Sequence, residues 1–164
     1  MKSGVVVADT GPIFSLAVID KLELLNSLFE KIYIPEAVWK EVTQNESVPF
    51  YNIITAFFYN KVEKIHGFND LTFVMDHGES ESVILYKEIK ADYLLIDDKK
   101  ARSLAENFGI NCIGTLGLLS ISKDKGLITS LKPLFEIFLT NKRYYSVDLL
   151  NIILKHKGEE PFNS

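Results

Sequence analysis

Short apolar runs, each closed by an aspartate, recur between longer helical stretches. Val5-Val6-Val7-Ala8 ends at Asp9, and Tyr93-Leu94-Leu95-Ile96 ends at Asp97. Runs of roughly 4–8 apolar residues bounded by turn signals fit strands buried on both faces. Such strands occur in parallel sheets covered by helices above and below. The alternation therefore predicts an α/β fold with a mostly parallel central sheet and helices on both faces. Lys31 to Ile34 and Ile110 to Ile113 read as further strands, and Lys61 to Leu71 as an ambiguous short strand followed by loop. Helices are expected from Pro12 to Phe29 with a break near Asp20, from Pro35 to Thr43, and from Pro49 to Asn60. Later helices are expected from Gly78 to Ile89, Lys99 to Phe108, between the turn Gly114-Thr115-Leu116-Gly117 and the stop Lys123-Asp124-Lys125-Gly126, from Ser130 to Thr140 and from Ser146 to Lys157. Gly109 suits the stop of the Lys99 helix, where a left-handed residue closes the last turn.

The 164 residues predict one domain over residues 1–157, with a frayed tail over residues 158–164. No apolar run approaches the roughly 20 residues that span a bilayer. The start, Met1-Lys2-Ser3-Gly4, lacks a signal-peptide pattern, so a cytoplasmic protein is expected. Cys112 is the only cysteine, which excludes an internal disulfide and reads as a structural thiol. The net charge of -4 excludes a general polyanion binder. Any nucleic-acid contact must rest on locally concentrated cations.

Four acids draw attention by position. Asp9 and Asp97 each end a strand, and ligands of open parallel sheets bind beyond those carboxyl ends. Glu41 lies on the short helix after Pro35, and Glu79 follows Gly78 at a helix start. Each has an ordinary alternative: Asp9 as a helix N-cap, Glu41 as solvated surface, Glu79 as an acid favoured by the helix dipole. In the pair Asp97-Asp98, one member can face a site while the other caps the helix beginning at Lys99. Carboxylates gathered from several elements repel one another, and a hard cation between them relieves that repulsion. Together the four read as a magnesium or manganese site. His66, His77 and His156 show no ligand spacing, so neither zinc nor a histidine triad is inferred.

The ordered set Val-Val-Ala-Asp9-Thr10-Gly11-Pro12, Ile34-Pro35-x-x-Val38-x-x-Glu41-Val42, Gly78-Glu79-Ser80-Glu81 and Leu94-Leu95-Ile96-Asp97-Asp98 resembles the PIN domain. The likeness is to the prokaryotic group related to the VapC toxins. It continues through Arg102, Gly109-Ile110 and Ile113-Gly114-Thr115-Leu116-Gly117, and covers roughly residues 4–155. The resemblance implies a Rossmann-like three-layer sandwich and a metal-dependent ribonuclease. Its acidic quartet falls on Asp9, Glu41, Glu79 and Asp97, where many relatives carry aspartate in place of Glu79. The spacing to Asp97 ranks Glu79 above Glu81. Thr10 matches a small hydroxyl residue that would hold Asp9 or a metal-bound water, and Thr115 a supporting Ser/Thr.

On that resemblance, Asp9 and Asp97 would bind Mg²⁺ or Mn²⁺ directly, and Glu41 and Glu79 would complete the site. Glu81, Asp98, Thr10 and Thr115 would support it. Lys99, Lys100 and Arg102 could meet an RNA backbone, or form a solvated helix face. Tyr144, Tyr145 and the aromatics from Phe50 to Tyr59 could stack on bases, with packing the ordinary reading. A cognate antitoxin and a homodimer are also implied, with no membrane association. A haloacid-dehalogenase-type phosphatase needs a second aspartate where Gly11 stands, and a receiver domain needs a lysine where Gly114-Thr115 stands. The remaining rival is a PIN-like binding module with weak or lost catalysis, acting through protein or RNA.

Overall fold

The computed structural model describes residues 1–143 and 145–163. Five strands form one sheet: β1 Val5–Ala8, β2 Lys31–Pro35, β3 Val62–Glu63, β4 Tyr93–Leu95 and β5 Cys112–Ile113. Their order is β3-β2-β1-β4-β5, and every pairing is parallel. Val6 lies opposite Ile32 on one side and Tyr93 on the other. β1 is thus the middle strand, and Val6, Val7 and Ala8 are fully buried.

Alternation along the strands divides the core into two faces. Val6, Ala8, Ile32, Ile34 and Leu95 join one cluster. It is covered by α1 (Thr10–Val18), α2 (Glu23–Leu28), α3 (Glu36–Val42), α4 (Tyr51–Phe58), α7 (Thr115–Asp124), α8 (Lys132–Thr140) and α9 (Val147–His156). Val7, Leu94 and Ile96 face the other way, under α5 (His77–Glu88) and α6 (Lys99–Asn107). The result is a three-layer α/β sandwich with an entirely parallel sheet.

Local chemistry sets the boundaries. Asp20, at φ 54, turns the chain between α1 and α2, a left-handed conformation that aspartate tolerates better than most residues. Gly109, at φ 78, closes α6. Asp98 and Ser146 cap α6 and α9 through their side chains. The aromatics Phe57 and Phe58 pack edge to face inside the core, so neither is a base platform. Tyr144 lies outside the described residues. Cys112 is half-buried, its thiol pushed up to about 11 by burial and by Glu106, which fits an inert thiol.

The end of the chain departs from the frayed tail expected from its sequence. Glu159 accepts the N–H groups of Leu131 and Lys132 at 2.8 and 3.0 Å and the Ser130 hydroxyl at 2.8 Å, and it pairs with Lys123. It therefore occupies the N-terminal end of α8, where a carboxylate is favoured. Asn151 brackets Phe162, accepting its N–H at 2.7 Å and donating to its carbonyl at 3.2 Å. Burial alone would raise the Glu159 carboxyl, but the four donors outweigh it and hold it down at about 2.

Glu159→Ala is expected to cost about 1.5–3 kcal/mol at neutral pH, the range for hydrogen bonds to a charged group. Because the folded pKa lies below the unfolded one, this contribution is present above the unfolded carboxylate range and fades as pH falls toward about 2. Urea melts of wild type and variant should converge over that window.

Candidate functional site

The strand order reverses direction at β1, with β2 on one side and β4 on the other. In parallel sheets that switch point opens a crevice beyond the strand ends. Asp9 stands directly after β1, and Asp97 two residues after β4. Cβ of Asp97 would lie 3.9 Å from a Cβ built on Gly11, so the two strand ends turn over the same crevice.

Asp9 occupies the N-cap position of α1 but makes no side-chain cap hydrogen bond. It is only 6% exposed. Its one side-chain partner is the Ser82 hydroxyl, at a long 3.5 Å, and that hydroxyl already donates to the Gly78 carbonyl at 2.8 Å. Burial pushes the Asp9 carboxyl up to about 8; the Thr10 N–H pulls it down, and the negative charges of Glu79, Asp76 and Glu41, each a smaller effect, raise it further. Glu79 is half-buried and pushed up to about 7, by burial and then by Asp76 and Asp98.

Glu41 reaches this cluster through two local devices. Thr10 Oγ1 donates to its Oε2 at 2.8 Å. A Cβ on Gly78 would fall 2.3 Å from its Oε1, so the glycine leaves the Glu41 carboxylate room to lie against α5 in this orientation. Thr10 thus holds Glu41, where the sequence pointed to Asp9 or a metal-bound water. Glu81 points elsewhere: it accepts the Ala37 N–H at 3.1 Å at the start of α3 and meets His77 Nε2 at 2.9 Å. It joins two helices, and His77 is paired with it.

Asp97 belongs to a different set of contacts. Its Oδ1 accepts the Thr115 N–H at 2.8 Å, and its Oδ2 accepts Thr115 Oγ1 and the Tyr145 hydroxyl, each at 2.7 Å. The Tyr145 hydroxyl also meets Ser15 Oγ at 2.9 Å. Burial and the Asp97 charge raise the Tyr145 phenol, which stays protonated. The charge of Asp98 acts on Glu79. Asp98 also caps α6, accepting the Ala101 N–H at 2.9 Å.

The structure therefore brings Asp9, Glu41 and Glu79 together and sets Asp97 alongside, held by Thr115 and Tyr145. Sequence reading missed Asp76, which accepts the Glu79 N–H at 2.9 Å as the N-cap of α5. The pattern Asp76-x-x-Glu79 is a capping-box signature and was the available signal. Arg143, arriving from the α8–α9 connection, left no local signal, and Tyr145, expected only to pack or to stack on bases, instead holds Asp97 through its hydroxyl. Beside Asp97 opens a groove of about 780 Å³, reaching Lys99, Arg102 and Arg143. Lys100 does not line it.

The donor chemistry, all carboxylate oxygen, fits a hard divalent cation. A buried Asp9 lacking a short hydrogen bond and facing like charges is the group such a cation would relieve most. As they stand, no three His, Cys, Asp or Glu side chains among the described residues form a chelating group. Side chains must turn inward to bind one.

Fold and site together define an α/β protein with an acidic crevice at the carboxyl edge of its sheet. The model of the PIN domain matches residues 5–159, and the chain belongs to that family. No curated protein matches it. Among solved structures it is similar to a domain of a functionally unknown protein from Methanocaldococcus jannaschii DSM 2661, at 20% identity. That likeness covers 68% of this chain and 91% of the other, with a TM-score of 0.46. No described helix is long and apolar enough to cross a membrane.

Asp9 and Glu79 hold protons in the folded state that they release when unfolded near neutral pH. For acids raised by folding, stability is fullest below the unfolded carboxylate range and falls as pH rises through about 7 and 8. In EDTA, wild-type stability should fall over that interval. Asp9→Asn should flatten the fall and overtake wild type at the alkaline end, as read by thermal melts across pH.

Proposed function

We propose that the protein is a metal-dependent endoribonuclease that hydrolyses RNA phosphodiester bonds at Asp9, Glu41 and Glu79. PIN domains are a nuclease fold family, and membership is shown. The observation that carries the finer reading is Asp9: a carboxyl almost fully buried, short of donors and crowded by three other acids. Such an arrangement costs stability unless it serves a cation or a proton transfer.

Asp9, with Glu41 and Glu79, would hold Mg²⁺ or Mn²⁺, and Asp98 or Asp97 would complete the site. The chemistry such an ion supplies when bound is neutralisation of the phosphate and activation of a water. This chain's residues do the rest. Thr10 fixes the Glu41 carboxylate through its hydroxyl. Glu79, set beside Asp76 and Asp98, would orient the attacking water. Thr115 and Tyr145 lock Asp97 in one orientation at the rim. The resemblance to VapC toxins extends the proposal to a cognate antitoxin that blocks this crevice and to a homodimer.

A binding module without catalysis is the second reading. It draws on the lack of a preformed chelating group and on Asp97, whose oxygens already accept three hydrogen bonds.

Purified protein should cleave a pool of single-stranded RNA, tRNA and ribosomal RNA with Mg²⁺ or Mn²⁺ and lose that activity in EDTA. Glu79→Gln should lower kcat by about 10²–10⁴-fold, the range for a lost general base. Mn²⁺ should raise the Tm of wild type and leave Asp9→Asn unchanged. A Mn²⁺-dependent Tm shift with no cleavage of any RNA would favour the binding module.

A further inference from the structure

We infer that the groove beside Asp97 is a phosphodiester-binding subsite anchored by Arg143. The inference rests on the nuclease reading only for the identity of the strand, not for the groove itself.

Arg143 is half-buried, and none of the ion pairs among the described residues includes it. Its Nε donates to Ser15 Oγ at 3.1 Å and its Nη2 to the Gly11 carbonyl at 3.1 Å. A guanidinium carries five N–H donors. Two are drawn onto α1, and the rest belong to a side chain that lines the groove. A cation withdrawn from water, fixed at two points and lacking a carboxylate partner is prepared for an anion. Lys99 and Arg102 line the same groove. Arg102 spends its Nε on Glu106 at 3.1 Å.

The groove also carries an apolar wall, with Leu149 and Ile153 of α9 among its lining residues. Leu149 is 44% exposed. The two acids of the same groove, Asp97 and Asp98, are already engaged by hydrogen bonds. The three cations that outnumber them, beside an apolar wall, match a nucleotide unit, whose phosphate takes the charge while its sugar and base cover the aliphatic surface. An acidic peptide would use the cations but needs no such wall.

Electrostatics give the groove a task. The chain is net negative, and the crevice around Asp9 gathers acids that repel a polyanion. A strand reaching that crevice needs an anchor close by. Arg143 binds the carbonyl of Gly11, two residues beyond Asp9, so the anchor is fastened to the turn that carries the buried acid.

The test is binding of a fluorescent single-stranded RNA oligonucleotide to the full chain in EDTA, where cleavage is suppressed, across about 50–200 mM salt. Each phosphate neutralised on a single strand contributes about 0.7 to the log–log salt slope, so a slope near −2 is expected for three cations. Arg143→Gln and Lys99→Gln should each make it shallower by about 0.7, and Lys100→Gln should leave it unchanged. Lys99 is exposed, so its variant tests the groove even if Arg143→Gln, which loses two bonds to α1, fails to fold. Arg143→Lys keeps the charge without the fork, and should keep the slope while weakening affinity.

Unchanged slopes in Arg143→Gln and Lys99→Gln would overturn the subsite, as would an equal loss in Lys100→Gln. Absent RNA binding in wild type, or binding of acidic peptides alone, would also overturn it. The nuclease reading is judged separately by cleavage with Mn²⁺. Cleavage with binding indifferent to Arg143 and Lys99 removes only the subsite. Binding that depends on both, without cleavage, removes only the nuclease.

Discussion

Everything at the carboxyl edge of this sheet turns on one costly placement, the carboxyl group of Asp9 at the end of the central strand. β1 is flanked by strands on both sides and by helices on both faces, so a residue that ends it is withdrawn from water. An acid placed there is driven toward its neutral form. Glu79, Asp76 and Glu41 push in the same direction, since each adds a negative charge nearby. A fold that only needed a cap for α1 could use serine or asparagine at no such cost. The surrounding sequence accommodates the cluster: Gly78 leaves room for Glu41, and Thr10 holds that glutamate in place.

The C-terminal helices finish the site from a distance. The connection between α8 and α9 carries Arg143 to Ser15 and Gly11, and Tyr145 to Ser15 and Asp97. Their own seat is secured by the chain end, where Glu159 gathers donors from the start of α8. Asp97 in turn is satisfied by Thr115 at the first turn of α7. The acids divide into a charge-crowded group around Asp9 and a hydrogen-bonded aspartate at its side.

Much of the fold was legible because burial writes itself into local patterns. The apolar runs ending at Asp9 and Asp97 marked two of the three inner strands, and Pro35 and Gly109 marked helix ends. β3 is a two-residue edge strand, Val62–Glu63, too short for any period to declare itself. Within the site, Asp9, Glu41 and Glu79 were visible through their places at strand ends and helix starts. Asp76 precedes a helix as an ordinary cap would, and here it is a cap and also a charge on Asp9 and Glu79. The place of Thr10 beside Asp9 pointed to that acid or to a metal-bound water, while its hydroxyl reaches Glu41 on another helix. Tyr145 stood out only as an aromatic and Arg143 not at all, because contacts across most of the chain leave no spacing to read.

The central claim is that the cluster around Asp9 is where a divalent cation binds. Titration of ¹⁵N-labelled protein with trace Mn²⁺ tests this directly, since the paramagnetic ion broadens amide signals near it. The account predicts that broadening appears first at Asp9, Thr10, Gly11, Gly78 and Glu79, and that Asp9→Asn abolishes it there. Broadening centred on other acids, such as Asp124 or Glu136, or a pattern that survives Asp9→Asn, would contradict it.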